Sequence, residues 1–250
     1  MTASVRPLIA GNWKMNGRRA DGVALATELA RRARSHDLAC DLLVCPPATL
    51  LAAVAVAIAD SPVVLGAQDC HTVAAGAHTG DISASMLADV GCRYVIVGHS
   101  ERRTNHGEGD ELVGRKAAAA HAAAMVAVVC LGETEAQRND GATLSVVEKQ
   151  FRGSLPASAT ADNTVIAYEP VWAIGSGRVP TNAEIAAVHA HLRTLARDVR
   201  GGDSLRLLYG GSVKAANAAE ILSIANVNGA LVGGASLNAE EFWAIARSCP

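Results

Sequence analysis

Eight short runs of Leu, Val, Ile and Ala recur along this chain: Leu8–Ala10, Leu42–Val44, Val63–Leu65, Tyr94–Val97, Val126–Val129, Val165–Tyr168, Leu205–Tyr209 and Ala230–Val232. They are near-continuously apolar rather than alternating, which predicts strands buried on both faces, as in a parallel sheet covered by helices. Helical signals lie between them. Thr181 and Glu184 make a capping-box pattern ahead of Ile185, Val188, Leu192, Leu195 and Val199 at helical spacing, and Asn238 with Glu241 precedes Phe242 and Ile245. Strand and helix alternate eight times without a linker or a low-complexity break. The pattern predicts one α/β domain over 1–250, a closed (β/α)8 barrel rather than an open doubly wound sheet.

A formal net charge of -2 gives no long-range attraction for nucleic acid or an acidic membrane, so any anionic ligand must be captured by local geometry. The longest apolar stretch, Ala117 to Leu131, is interrupted by His121 and is too short and Ala-rich for a membrane span. Without an apolar or Arg-rich leader, the chain is expected in the cytoplasm. The six cysteines show no C-x-x-C spacing, so a metal knuckle or a dithiol motif has no support and the thiols are expected to be reduced and mostly buried.

In a barrel of this kind, function sits in the loops that follow the strands. Polar residues gather at those positions: Asn12 and Lys14 after the first run, His99, Ser100 and Glu101 after the fourth, Cys130 beside the end of the fifth, and Glu169 after the sixth. Glu169 is followed at once by Pro170, which stops the strand, and then by the Gly175, Ser176, Gly177 run, which supplies adaptable backbone with free N–H groups. That is how a base and a lid over 170–180 would be built, although an ordinary strand-to-helix loop containing Glu has the same outline. The last two strand ends carry Tyr209, Gly210, Gly211, Ser212 and Gly233, Gly234, Ala235, Ser236. Two glycine-bearing turns side by side, with a short helix starting near Ser236, form a cradle of backbone N–H groups suited to phosphate.

The segments Ala10 to Gly17, His99 to Arg103, Tyr168 to Gly177, Tyr209 to Val213 and Gly229 to Leu237 resemble the signature segments of the triosephosphate isomerases, and further similarity runs in order through the chain. The resemblance implies a TIM barrel that interconverts dihydroxyacetone phosphate and D-glyceraldehyde 3-phosphate through an enediolate, with no cofactor and no metal. By the same resemblance Glu169 is the base and His99 the electrophile and proton shuttle, used as a neutral imidazole in this family. Lys14 supplies a point charge to the phosphate and the developing oxyanion, and Asn12 orients substrate and Lys14. Backbone N–H groups of Gly175, Ser212, Gly233 and Gly234 are implied phosphate donors. Glu101 is expected to hold Lys14 or His99, with an ion pair to Arg102 or Arg103 as the alternative. Ser100, Cys130 and Tyr209 are supporting residues. The Gly76 to Ala84 segment, with Thr79, resembles the loop that inserts into the partner subunit, which implies a homodimer.

Two departures from the resemblance stand out. In many relatives a loop N–H donates to the phenol matching Tyr209 when the lid closes; here Pro180 takes the donor position and has no N–H, so that latch cannot form, although Ser212 to Gly177 could still serve. Asn228 stands where relatives commonly carry Asp opposite the residue matching Arg193, which leaves a neutral hydrogen bond in place of an ion pair. The competing readings are another phosphate-binding barrel isomerase or epimerase, which would need metal ligands or Asp acid/base pairs, and a catalytically silent barrel kept for binding.

Overall fold

In a computed structural model, which describes residues 5–174 and 178–250, eight parallel strands close into one barrel in chain order. They are β1 (Leu8–Asn12), β2 (Asp41–Cys45), β3 (Val63–Ala67), β4 (Tyr94–Val97), β5 (Val126–Leu131), β6 (Thr164–Tyr168), β7 (Arg206–Tyr209) and β8 (Gly229–Val232). Closure is made by β1 against β8, with Leu8 opposite Gly229 and Gly11 opposite Val232.

The apolar runs are continuous because successive side chains serve two different cores. Leu8, Ala10, Leu43, Ile96, Val128, Ala167, Leu208 and Leu231 fill the barrel interior. Their neighbours Ile9, Leu42, Val44, Val95, Val97, Ile166 and Leu207 face the helical layer outside. Alternation therefore exists in direction but not in polarity, as a strand covered on both faces requires.

The strands run past the ends of several apolar runs. β1 continues to Asn12 and β5 to Leu131, so polar residues ride on hydrogen-bonded backbone at the carboxy rim. β7 begins at Arg206 rather than Leu205. The capping box forms as read, with the Glu184 N–H donating to Thr181 Oγ1 at 3.3 Å and the Thr181 N–H to Glu184 Oε2 at 2.7 Å. Its helix, Asn182–Ala196, stops three residues before Val199, whose N–H donates to the Ala196 carbonyl in the closing turn. Asn238 Oδ1 caps the final helix, Ala239–Arg247, by accepting from Glu240 and Glu241. The short helix expected near Ser236 is a single 3-10 turn, Gly234–Leu237, that starts two residues earlier. Among the described residues no helix is long and apolar enough to cross a membrane.

Candidate active site

A cleft of about 590 Å³ opens at the carboxy rim of the barrel. Asn12, Lys14, His99, Glu101, Glu169, Ser212, Gly233 and Gly234 all line it, although they come from five loops spread over more than two hundred residues. The expected Gly175, the rest of the Gly175, Ser176, Gly177 run and the Ser212 to Gly177 contact lie outside the described residues.

The geometry at His99 follows from its place as the residue before the helix Ser100–Asn105. Its Nδ1 accepts the Glu101 backbone N–H at 3.2 Å, so the Nδ1 lone pair is committed and a neutral ring carries its proton on Nε2. Nε2 lies 2.9 Å from Glu169 Oε1, and the other carboxylate oxygen accepts the Ser100 N–H at 3.1 Å. Glu169 and His99 are 2 % and 5 % exposed, so the pair sits almost out of water. Burial works against the Glu169 carboxylate, but His99, the Ser100 N–H and the Cys130 thiol outweigh it and hold the group below the usual carboxylate value. Burial likewise disfavours an imidazolium at His99, while the adjacent Glu169 favours it and brings the balance above the ordinary histidine value. Burial and the nearby Glu169 drive the Cys130 thiol well above its ordinary range, which makes it an inert wall of the site.

Lys14 is held in an unusual conformation, with φ 52° in the left-handed region. Its N–H donates to Asn12 Oδ1 at 3.0 Å, and its carbonyl accepts from Gln68 Nε2 at 2.8 Å, so side chains on both sides fix a backbone that a non-glycine residue adopts at a cost. Its Nζ meets Glu101 Oε1 at 2.5 Å, while Glu101 Oε2 stands 3.6 Å from His99 Nδ1. Glu101 thus contacts Lys14 and stands beside His99. Arg102 and Arg103 turn elsewhere: Arg102 pairs with Glu108 at 2.7 Å and Asp69 at 2.9 Å, and Arg103 with Asp110 at 2.7 Å.

Several groups that sequence reasoning passed over hold this arrangement. Lys116 joins Asp69 at 2.7 Å and Glu108 at 2.6 Å, completing with Arg102 a four-residue ionic cluster that pins the helix carrying Ser100 and Glu101. Glu133 is 1 % exposed and accepts from the Tyr168 hydroxyl at 3.2 Å and from Trp172 Nε1 at 2.8 Å, tying the first turn after Glu169 to the end of β5. Arg138 covers the Trp172 ring, 3.7 Å from its centroid, and pairs with Glu184. Glycine is required at two points around the base. A Cβ on Gly132 would fall 1.7 Å from the Glu169 carbonyl oxygen, and one on Gly210 would fall 2.8 Å from Glu169 Cγ.

On the phosphate side, Ser212 Oγ donates to the Ala173 carbonyl at 3.1 Å and the Ser212 carbonyl accepts from Asn217 Nδ2 at 3.1 Å. The β7 turn is thereby fixed to the base of the expected lid. Tyr209 is fully buried and its hydroxyl has no hydrogen-bond partner among the described residues. Arg193 Nη2 donates to Asn228 Oδ1 at 2.7 Å, the neutral bond that the sequence reading anticipated.

Comparison with known proteins agrees along the whole chain. The family model described as triosephosphate isomerase matches residues 7–249. The protein named triosephosphate isomerase in Afipia carboxidovorans is 56% identical over 252 residues, covering 100% of both chains. The one in Rhizobium meliloti is 54% identical, with 99% of this chain and 98% of that protein covered. The crystal structure of triosephosphate isomerase from Bartonella henselae superposes with a TM-score of 0.90 at 46% identity, over 98% of this chain and 99% of the other.

Proposed function

As a member of the triosephosphate isomerase family, this chain interconverts dihydroxyacetone phosphate and D-glyceraldehyde 3-phosphate, and we propose that Glu169 moves the proton between carbons while His99 serves the oxygens. The observation that carries this reading is the buried contact of 2.9 Å between Glu169 Oε1 and His99 Nε2, with the Glu101 N–H on the far nitrogen of the ring. In this structure the two groups satisfy one another. When substrate enters, Glu169 leaves Nε2 and the Ser100 N–H and turns to a carbon-bound proton, which a carboxylate freed of those donors accepts more readily.

The same movement resets His99. Once the Glu169 charge has gone from Nε2, burial and the Glu101 N–H both favour neutral imidazole, whose Nε2–H can donate to the substrate carbonyl. One electron pair then moves from the breaking C–H bond into the enediolate. Protonation of the neighbouring carbon by Glu169 completes the isomerisation, with His99 moving the proton between the two oxygens. Lys14 and the Asn12 amide stabilise the developing oxyanion, and the backbone N–H groups of Ser212, Gly233 and Gly234, with Gly175, take the phosphate.

The reading extends to a single domain acting as a homodimer in the cytoplasm. Residues Val73 to Asp81 are exposed throughout, and Met15, Val73 and Met86 present apolar side chains that are 94%, 43% and 54% exposed beside that loop and the first strand end. An apolar group so exposed gains from a partner's surface, and the Gly76 to Ala84 loop supplies the segment that would insert. The test is a coupled assay with glyceraldehyde 3-phosphate and excess chelator, run with sedimentation of the same sample. Chelator-insensitive turnover from a species of twice the chain mass is expected; metal-dependent turnover, or full turnover from a monomer, would overturn the reading.

A further inference from the structure

The face of the barrel opposite the cleft holds a second cavity, of about 480 Å³, between the amino ends of β1 and β8 and the last turn of the helix Asn182–Ala196. Arg193 reaches into it from that turn. Its Nη1 donates to the Gly202 carbonyl at 2.7 Å and its Nη2 to Asn228 Oδ1 at 2.7 Å, and these two acceptors are neutral. Asn228 Oδ1 also accepts the Leu207 N–H at 3.2 Å. With the oxygen doubly engaged and no bond to its amide NH2 among the described residues, the donor end of Asn228 is left to the cavity.

Arg197, four residues further on, lines the same space, and its guanidinium makes no hydrogen bond or ion pair among the described residues. Two like charges at this spacing repel by a few tenths of a kcal/mol on a helix surface, a cost that an anion between them converts to attraction. Among the described residues the one acidic side chain on the wall is Asp203. It meets Arg193 through its backbone carbonyl, at 3.4 Å, and its carboxylate pairs with neither arginine. Burial pulls the Arg193 guanidinium below its ordinary value, with the charge of Asp203 opposing it incompletely.

We propose that this cavity is an anion site that takes a small oxyanion of the phosphate or phosphate-monoester type, held by Arg193, Arg197 and the Asn228 amide. A planar guanidinium matches two oxygens of such a group, and a second guanidinium with an amide donor supplies the remaining contacts. Residue 228 decides whether the site exists. A carboxylate there would neutralise Arg193 from within and face the incoming anion with a negative charge.

The experiment is calorimetric titration of inorganic phosphate into the enzyme whose catalytic cleft is kept full by a saturating phosphorylated carboxylate analogue of the enediolate. Glycerol 2-phosphate in a parallel titration separates a preference for the free ion from one for the ester. One site per chain is expected, and Arg197→Gln, an exposed position outside the catalytic machinery, should weaken it about tenfold, or about 1.4 kcal/mol. Asn228→Asp should abolish binding while leaving turnover unchanged. Melting curves of the same analogue-loaded proteins in phosphate against sodium chloride of equal ionic strength give a second readout: a saturable rise in wild type that needs about tenfold more phosphate in Arg197→Gln and is missing in Asn228→Asp. No second site in the loaded enzyme, or equal phosphate binding by all three proteins, overturns the proposal.

Discussion

Acidification should destabilise this protein through one residue whose contribution can be isolated. His189 is completely buried on the helix Asn182–Ala196, where Nδ1 meets the Asn226 carbonyl at 3.2 Å, Nε2 has no partner among the described residues, and the ring packs edge-on against Tyr168 at 6.1 Å between centroids. Burial lowers its pKa from 6.5 to about 4; the Asn226 carbonyl opposes the shift and the nearby Arg193 charge adds to it. The folded state therefore binds fewer protons than the unfolded chain between those values. The stability contributed by neutral His189 is fully present above pH 6.5 and is lost as pH falls toward 4. For this group alone, the ratio of (1 + 10^1.5) to (1 + 10^-1) gives a loss of about 2 kcal/mol at pH 5, approaching about 3 kcal/mol below pH 4. At about 2 to 4 °C per kcal/mol for a chain of this size, the pH 5 term is worth about 4 to 8 °C in Tm. His189→Gln keeps a donor for Asn226 but cannot titrate. Melting curves of both proteins between pH 7.5 and 4.5 should converge as the pH falls, because the variant lacks this term. Parallel curves would show that His189 does not carry the acid sensitivity and would refute the reasoning.

Two further substitutions probe the setting of the site. Gly132→Ala places a methyl 1.7 Å from the Glu169 carbonyl oxygen, so the backbone bearing the base must move; a displacement near 1 Å costs about 10²-fold, and kcat/KM should fall by at least that while circular dichroism still reports a folded barrel. Tyr209→Phe should change kcat/KM by less than about threefold, because the phenol has no partner among the described residues and Pro180 offers no N–H; a loss of tenfold or more, the value of a hydrogen bond that closes a lid, would show that the hydroxyl latches it.

The barrel is legible because every strand is apolar on both faces and every helix must then cover one of them, a requirement that leaves few alternatives once eight such runs are counted. The cleft is legible for a related reason: Asn12, Lys14, His99 and Glu169 each lie within four residues of the end of an apolar run, and the barrel brings all such positions to one rim. What escaped was held by pairings that no local pattern encodes. Lys116 sits in an Ala-rich helix and reads as a solvated charge, yet it is buried between Asp69 and Glu108, which arrive from two other loops. Glu133 did carry a signal, since it follows β5 across a single glycine much as Glu169 follows β6, but its role depends on Trp172 folding back over it. The helix that ends at Ala196 shows the reverse: Val199 keeps the helical spacing and still packs on the core, because the chain has already turned toward β7.

The most direct test of the mechanism is the turnover of purified Glu169→Ala in the coupled glyceraldehyde 3-phosphate assay with chelator present. Removing a general base costs about 10²- to 10⁴-fold, or about 3 to 5 kcal/mol of transition-state stabilisation, with the fold and the phosphate cradle left in place. A fall of that size in kcat, with an unchanged far-ultraviolet spectrum and retained binding of a phosphorylated analogue, is the expected result. Turnover near that of the wild type would contradict the assignment of Glu169 as the base.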